Sequence, residues 1–174
     1  QTPIDSQQED NNSALAVQPE FYHKYNGGHN SFTFVPFFRA DEHDSERTHA
    51  DIRELTLVKA ADNWELHIGV RKIFWGVTES QHLVDIINQT DLVESPDGEE
   101  KLGQPMIDLA LIRDWGTINM MILPGFRERT YPGIEGRFRS QPRVDTDQAL
   151  YESSSKDKHT DIAIRWSTYF DYWE

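Results

Sequence analysis

From Asn63 to Trp75 the chain reads Asn-Trp-Glu-Leu-His-Ile-Gly-Val-Arg-Lys-Ile-Phe-Trp. Trp64, Leu66, Ile68, Val70 and Phe74 share one parity, and Glu65, His67, Gly69 and Arg71 share the other. A period of two does not fit a helix; it places apolar side chains on one face of a strand and polar ones on the other. The same alternation recurs over residues 14–25, 31–39, 49–60, 104–114, 117–129 and 160–173. It predicts an all-β chain of about seven long antiparallel strands, close to the ~9–11 residues a tilted strand needs to cross a bilayer. Pro19 and Pro36 cannot donate to a ladder, so bulges are expected beside them.

The connections alternate. Short turns fall at Asn26-Gly27-Gly28, Ala61-Asp62-Asn63 and Asp114-Trp115-Gly116, and longer charged loops at 40–48, 76–103 and 130–159. Bacterial outer-membrane barrels alternate in this way, with short periplasmic turns and long external loops. Tyr25, Trp75, Trp115, Tyr172 and Trp173 gather near strand ends, where interfacial aromatic girdles would lie. The expected architecture is a partial transmembrane β-barrel over residues 14–174, preceded by a polar loop or disordered segment over 1–13. On its polar parity stand Glu20, Glu54, Glu65, His67, Asp108 and Asp161 with Arg39, Arg71, Arg127 and Arg165. Such opposed charges would line a water-filled lumen and set its selectivity. In a soluble sheet the same residues would form a solvated outer face.

The loop over 76–103 carries its own signals. Thr78-Glu79-Ser80-Gln81 is a capping-box pattern, followed by a narrow helical stripe of Leu83, Val84, Ile86 and Ile87. A short helix is predicted from Thr78 to about Asn88, folded into the pore against Val35, Phe37 and Val58. Its other face would present Glu79, His82 and Asp85 as a constriction.

Composition excludes several classes. A net charge of −13 argues against a nucleic-acid partner, which needs a basic surface. There are no cysteines for disulfides or thiolate metal sites. No apolar run approaches the ~18 residues of a membrane helix. Residues 1–12 have neither the apolar core nor the basic start of a signal peptide. An odd strand count and an end within a strand predict an internal piece of a longer barrel. Ser153-Ser154-Ser155 near His159 and Asp161 lacks flanking elbow glycines, so no enzyme is expected. Glu79, His82 and Asp85 lack the spacing of a helical zinc site. Asp41, Glu42, Asp44 and Glu46, like Glu94, Asp97, Glu99 and Glu100, do not match a calcium loop. No cofactor or metal is expected.

Lys72 to Asp91 reads Lys-Ile-Phe-Trp-Gly-Val-Thr-Glu-Ser-Gln-His-Leu-Val-Asp-Ile-Ile-Asn-Gln-Thr-Asp. Together with Lys101-Leu102-Gly103-Gln104-Pro105-Met106, Arg113-Asp114-Trp115-Gly116 and Leu123-Pro124-Gly125-Phe126-Arg127-Glu128-Arg129-Thr130, it resembles poorly characterised porin-like outer-membrane β-barrel proteins of Gram-negative bacteria. The resemblance implies a barrel in the bacterial outer membrane, in contact with lipid and without a catalytic centre. The function expected is passive passage of small polar solutes or ions, with a lean toward cations. A barrel scaffold or sleeve for another envelope protein, a homo-oligomer, and a soluble β-sandwich binding module are the alternatives.

Overall fold

A computed structural model describes residues 11–75, 86–136, 138–139, 142 and 144–168. Its strands are β1 (Ala14–Val17), β2 (Phe21–Tyr25), β3 (Asn30–Asp41), β4 (His49–Ala61), β5 (Trp64–Arg71), β6 (Gln104–Arg113), β7 (Gly116–Pro124) and β8 (Thr160–Ser167). All pair antiparallel in one sheet that follows chain order from β3 to β8, with β1 and β2 both on the far side of β3. The sheet is not closed: β1 and β2 form one edge and β8 the other. Among the described residues there is no α-helix, only single 3-10 turns. The expected helix falls largely on residues 76–85, outside the described residues; Ile86 to Asn88 are not helical.

The single strand expected over 14–25 is broken in the middle, and proline is the reason. Val17 pairs with Phe38 and Phe21 with Phe34, so the register is unchanged across the gap and Pro19 stands opposite Pro36. Neither ring nitrogen carries a proton, so the ladder cannot be closed there. On its other side β3 also slips at Pro36. Val35 pairs with Glu54 but Pro36 with Ile52, leaving Arg53 as the extra residue of a bulge. A bulge re-aims side chains, and here it takes Arg53 off the apolar parity of Leu55 and Leu57. Its side chain is 3 % exposed.

Partners in register share a face. His23, Phe32, Leu57, Ile68, Ile107, Ile122 and Ile162 therefore form one row across the sheet from β2 to β8. Leu66, Leu109, Met120 and Ile164 make a parallel row. This apolar face is bare: Ile68 is 41 %, Ile122 45 % and Trp166 61 % exposed. The opposite face is the covered one. Met106, Met121, Leu123, Val35 and Phe37 are buried there, but so are Arg53, Thr56, Gln104 and Asp108. A water-soluble sheet normally does the reverse, burying its apolar face.

In a meander of this kind the turns alternate between two ends. The tight connections 26–29, 62–63 and 114–115 lie at one end; the segments 42–48, 72–103 and 125–159 leave from the other. Gly69, in mid-strand on β5, has φ +138, and a Cβ added there would lie 1.8 Å from the Leu55 carbonyl oxygen. Only glycine fits where β4 and β5 approach so closely.

Candidate functional site: the polar face and its covering loops

The middle of the polar face is a wall of alternating charge. Val58, His67, Asp108 and Met121 form one of its rows, and Ala60, Glu65, Ala110, Asn119 and Arg165 the next. Asp108, 4 % exposed, accepts from Arg71 Nη1 at 3.1 Å and from Asn119 Nδ2 at 3.1 Å. His67 Nε2 lies 3.2 Å from Glu65 Oε2. The Arg165 guanidinium sits 5.9 Å from the centre of the Trp75 ring. Glu54 is half-buried beside the Arg53 bulge.

At the long-loop end this wall is covered. Asn88, buried, knits the two ends of the 72–103 segment: it accepts from the Ile73 amide at 2.8 Å and donates to the Arg71 and Leu102 carbonyls, each at 2.9 Å. Asp91, 1 % exposed, then meets the sheet. It accepts from Arg53 Nη1 at 2.6 Å and from the Thr130 hydroxyl at 2.6 Å. Arg53 also donates to Asp51 at 3.1 Å and lies 4.3 Å from the Phe37 ring centre. Arg127 donates to Asp51 at 2.9 Å and to the Gly103 carbonyl at 2.8 Å. Arg53, Asp91, Asp51 and Arg127 thus form a charge-balanced quartet that joins β4, the 86–103 segment and the segment after β7. Charge-assisted bonds of this kind are the strong class, and burial keeps water from competing. Burial alone would raise the Asp91 pKa, but bonds from Thr130 and Arg53 and the Arg53 charge outweigh it and hold the carboxyl below its usual range.

A second set of bonds ties the 42–48 loop down. Asp44, 2 % exposed, accepts from the Glu46 amide at 3.0 Å and the Gly133 amide at 3.2 Å. A Cβ on Gly136 would lie 2.2 Å from its Oδ2, so the loop that cradles this carboxylate needs glycine. Arg39 and Glu94 pair at 2.7 Å. Between the loops and the sheet lies a cavity of about 670 Å³, lined by Asp44, Asp51, Asp91, Arg127, Arg129 and Tyr131 among others.

The residues expected along a lumen separate into three groups. Glu54, Glu65, His67, Arg71, Asp108 and Arg165 lie on the polar face, and Arg39 and Arg127 lie at its covered end. Asp161, opposite Leu123, lies on the same face at the β8 edge and is exposed, 3.0 Å from His159; Glu20 falls in the break between β1 and β2 and is exposed. Glu79, His82 and Asp85 lie outside the described residues. Sequence reasoning missed Arg53, Asp51 and Asp91, the hub of the arrangement. The available signal was an arginine on an apolar parity one strand away from Pro36. Ser155 donates its backbone amide to Ser153 Oγ at 3.2 Å. Among the described residues no three His, Asp or Glu side chains converge to hold a metal ion. No helix among them is long and apolar enough to cross a membrane, which leaves strands untouched as a means of crossing. No known protein family matches the chain, and no curated protein or solved structure is significantly similar to it.

Proposed function

We propose that this chain forms part of a bacterial outer-membrane β-barrel that passes small polar solutes or ions. The observation that carries the reading is the inverted sheet: an apolar row running unbroken from Phe32 to Ile162 is bare, while charged and amide side chains on the other face are covered. Lipid is the surrounding that makes such an arrangement stable, since it accepts the apolar face and leaves the polar face for water or protein. A sandwich would need a second sheet over that apolar face, and the described residues supply none. In the barrel, Glu54, Glu65, His67, Arg71, Asp108 and Arg165 face the lumen, and the 86–103 segment narrows its outer end.

The packing of the loops favours a second reading as well. The quartet around the buried Arg53–Asp91 pair and the clamp at Asn88 would suit a plugged barrel that serves as a scaffold for another envelope protein. Planar bilayers decide between them. Reconstituted protein should give discrete conductance steps if it is a channel and a flat trace if it is a plugged sleeve. Recovery of the protein in the aqueous phase after detergent phase separation would overturn both.

A further inference from the structure

We infer that Asn26 is a modification site: its side-chain amide is lost to attack by the Gly27 backbone nitrogen, leaving aspartate and isoaspartate in the β2–β3 turn. The reaction needs only water. The Gly27 nitrogen bonds to the Asn26 side-chain carbonyl carbon, and the bond from that carbon to the amide nitrogen breaks. The amide nitrogen departs as ammonia, taking the proton from Gly27, and a succinimide ring is left. Water then opens the ring at either carbonyl. One opening gives aspartate; the other gives isoaspartate, with the backbone running through the former side chain.

Asn-Gly occurs once in the chain, at 26–27. The attack is unhindered there, because glycine brings no side chain beside the attacking nitrogen. A Cβ built on Gly27 would meet nothing nearer than the His29 ring, at 3.8 Å, and one on Gly28 nothing within 4 Å. The reacting groups are also uncommitted. Asn26 to Gly28 are exposed, and the turn is held by the His29 amide donating to the Asn26 carbonyl at 3.2 Å. Among the described residues nothing bonds the Asn26 side chain or the Gly27 amide. The other asparagines differ. Asn12 and Asn30 precede serine, but Asn12 bonds Asp41 at 3.2 Å and Asn30 is held between Tyr25 and Lys59 in the ladder. Asn88 is buried and committed to three backbone groups, and Asn119 donates to Asp108. Asp97-Gly98 is the nearest rival, since an aspartyl side chain can close the same ring. There the Gly98 amide already donates to the Ser95 carbonyl at 3.0 Å. Bonds from the Ser95 hydroxyl and the Glu99 amide hold the Asp97 carboxyl below its usual range, and an ionised carboxylate is a poor electrophile. The change at Asn26 has a structural consequence. Tyr25 pairs with Asn30 to close the hairpin, and isoaspartate adds a backbone carbon between them.

The test compares the full chain in detergent with a free peptide of residues 22–33, both held in warm, mildly alkaline buffer. Trypsin cuts after Lys24 and Arg39, and mass spectrometry follows the 25–39 fragment. Exposed turns open locally at little cost, so Asn26 in the folded chain should convert within about tenfold of the peptide's rate. It should convert ahead of every other asparagine, and isoaspartate should form alongside aspartate as the mark of the ring. Asn26→Gln should abolish conversion at this position. Gly27→Ala should slow it several-fold in the chain and in the peptide alike, so the peptide carries that result even if the chain variant misfolds. An Asn26 amide still intact in the folded chain when the peptide is fully converted overturns the inference. So does aspartate without isoaspartate, or an equal rate in Gly27→Ala.

Discussion

At the scale of single residues, Arg53 decides most. Among the described residues it is the one cation that touches both Asp51 and Asp91, and it is 3 % exposed. Removing one member of a buried ion pair leaves an uncompensated charge, at a cost of about 3–5 kcal/mol. Arg53→Met is expected to destabilise the protein by that amount in urea unfolding from detergent. The double variant Arg53→Met/Asp91→Leu should recover most of the loss, because an apolar pair of similar volume is often neutral. A double variant as unstable as the single one would show that the arginine acts by some other contact. Gly69 makes a second claim. Alanine there needs a left-handed backbone conformation and meets the Leu55 carbonyl, so Gly69→Ala should lower stability by at least ~1–3 kcal/mol. Asp91 gives a pH dependence with a definite sign. Its folded pKa is depressed, so its contribution is present above the unfolded value near ~4 and is lost as pH falls through the lower, folded value. Hydrogen exchange at the Asp91 and Leu102 amides should therefore quicken as pH drops below about 4, after correction for intrinsic rates. In Asp91→Asn that acid transition should vanish.

At the scale of elements, the unit is the strand with two unlike faces. On β5, Leu66, Ile68 and Val70 share the bare face and Glu65, His67 and Arg71 the covered one. Single cysteines at these positions should split by parity toward a membrane-impermeant thiol reagent; labelling without a two-residue period would contradict the lipid assignment. Ile68→Arg should cost about 2–4 kcal/mol if the site lies near the bilayer midplane. The loops are elements too. The 86–103 segment has little regular structure, yet Val93 and Leu102 are as buried as any core residue. Asn88 and Asp91 give it that rigidity through side-chain bonds, in the absence of a backbone ladder.

At the scale of the whole molecule, the two open edges set the problem. Among the described residues no strand pairs with the outer sides of β1, β2 and β8. In lipid each unpaired N–H or C=O group costs several kcal/mol, so spanning sheets are closed ones. The 174-residue chain refolded in detergent is accordingly expected to associate through these edges rather than to run as a heat-modifiable monomer on gels. A heat-modifiable, protease-resistant monomer would mean that β8 and β1 find each other. The apolar face makes the same demand in another way. Bare rows of Ile, Leu and Phe on this scale far exceed what a soluble monomer shows, and they call for a covering surface.

The sequence alone determined where the strands lie and their two faces, because alternation is a local property. It determined the turn ends for the same reason, and even the weak points at Pro19 and Pro36, since a missing N–H is visible in one residue. It carried the strands too far at their long-loop ends, to Trp75 and Arg129 where the ladders stop at Arg71 and Pro124, because alternation does not show where a pairing partner runs out. It could not determine which way Arg53 points. Strict parity assigns that side chain to the apolar face, and only a slip in the β3–β4 register moves it across. Nor could it pair Arg53 with Asp91, 38 residues on, or Asp44 with Gly133, 89 residues on. Those contacts have no period and no motif. They exist because the meander brings every long segment to one end of the sheet, where buried charges must find partners among whatever the topology has delivered.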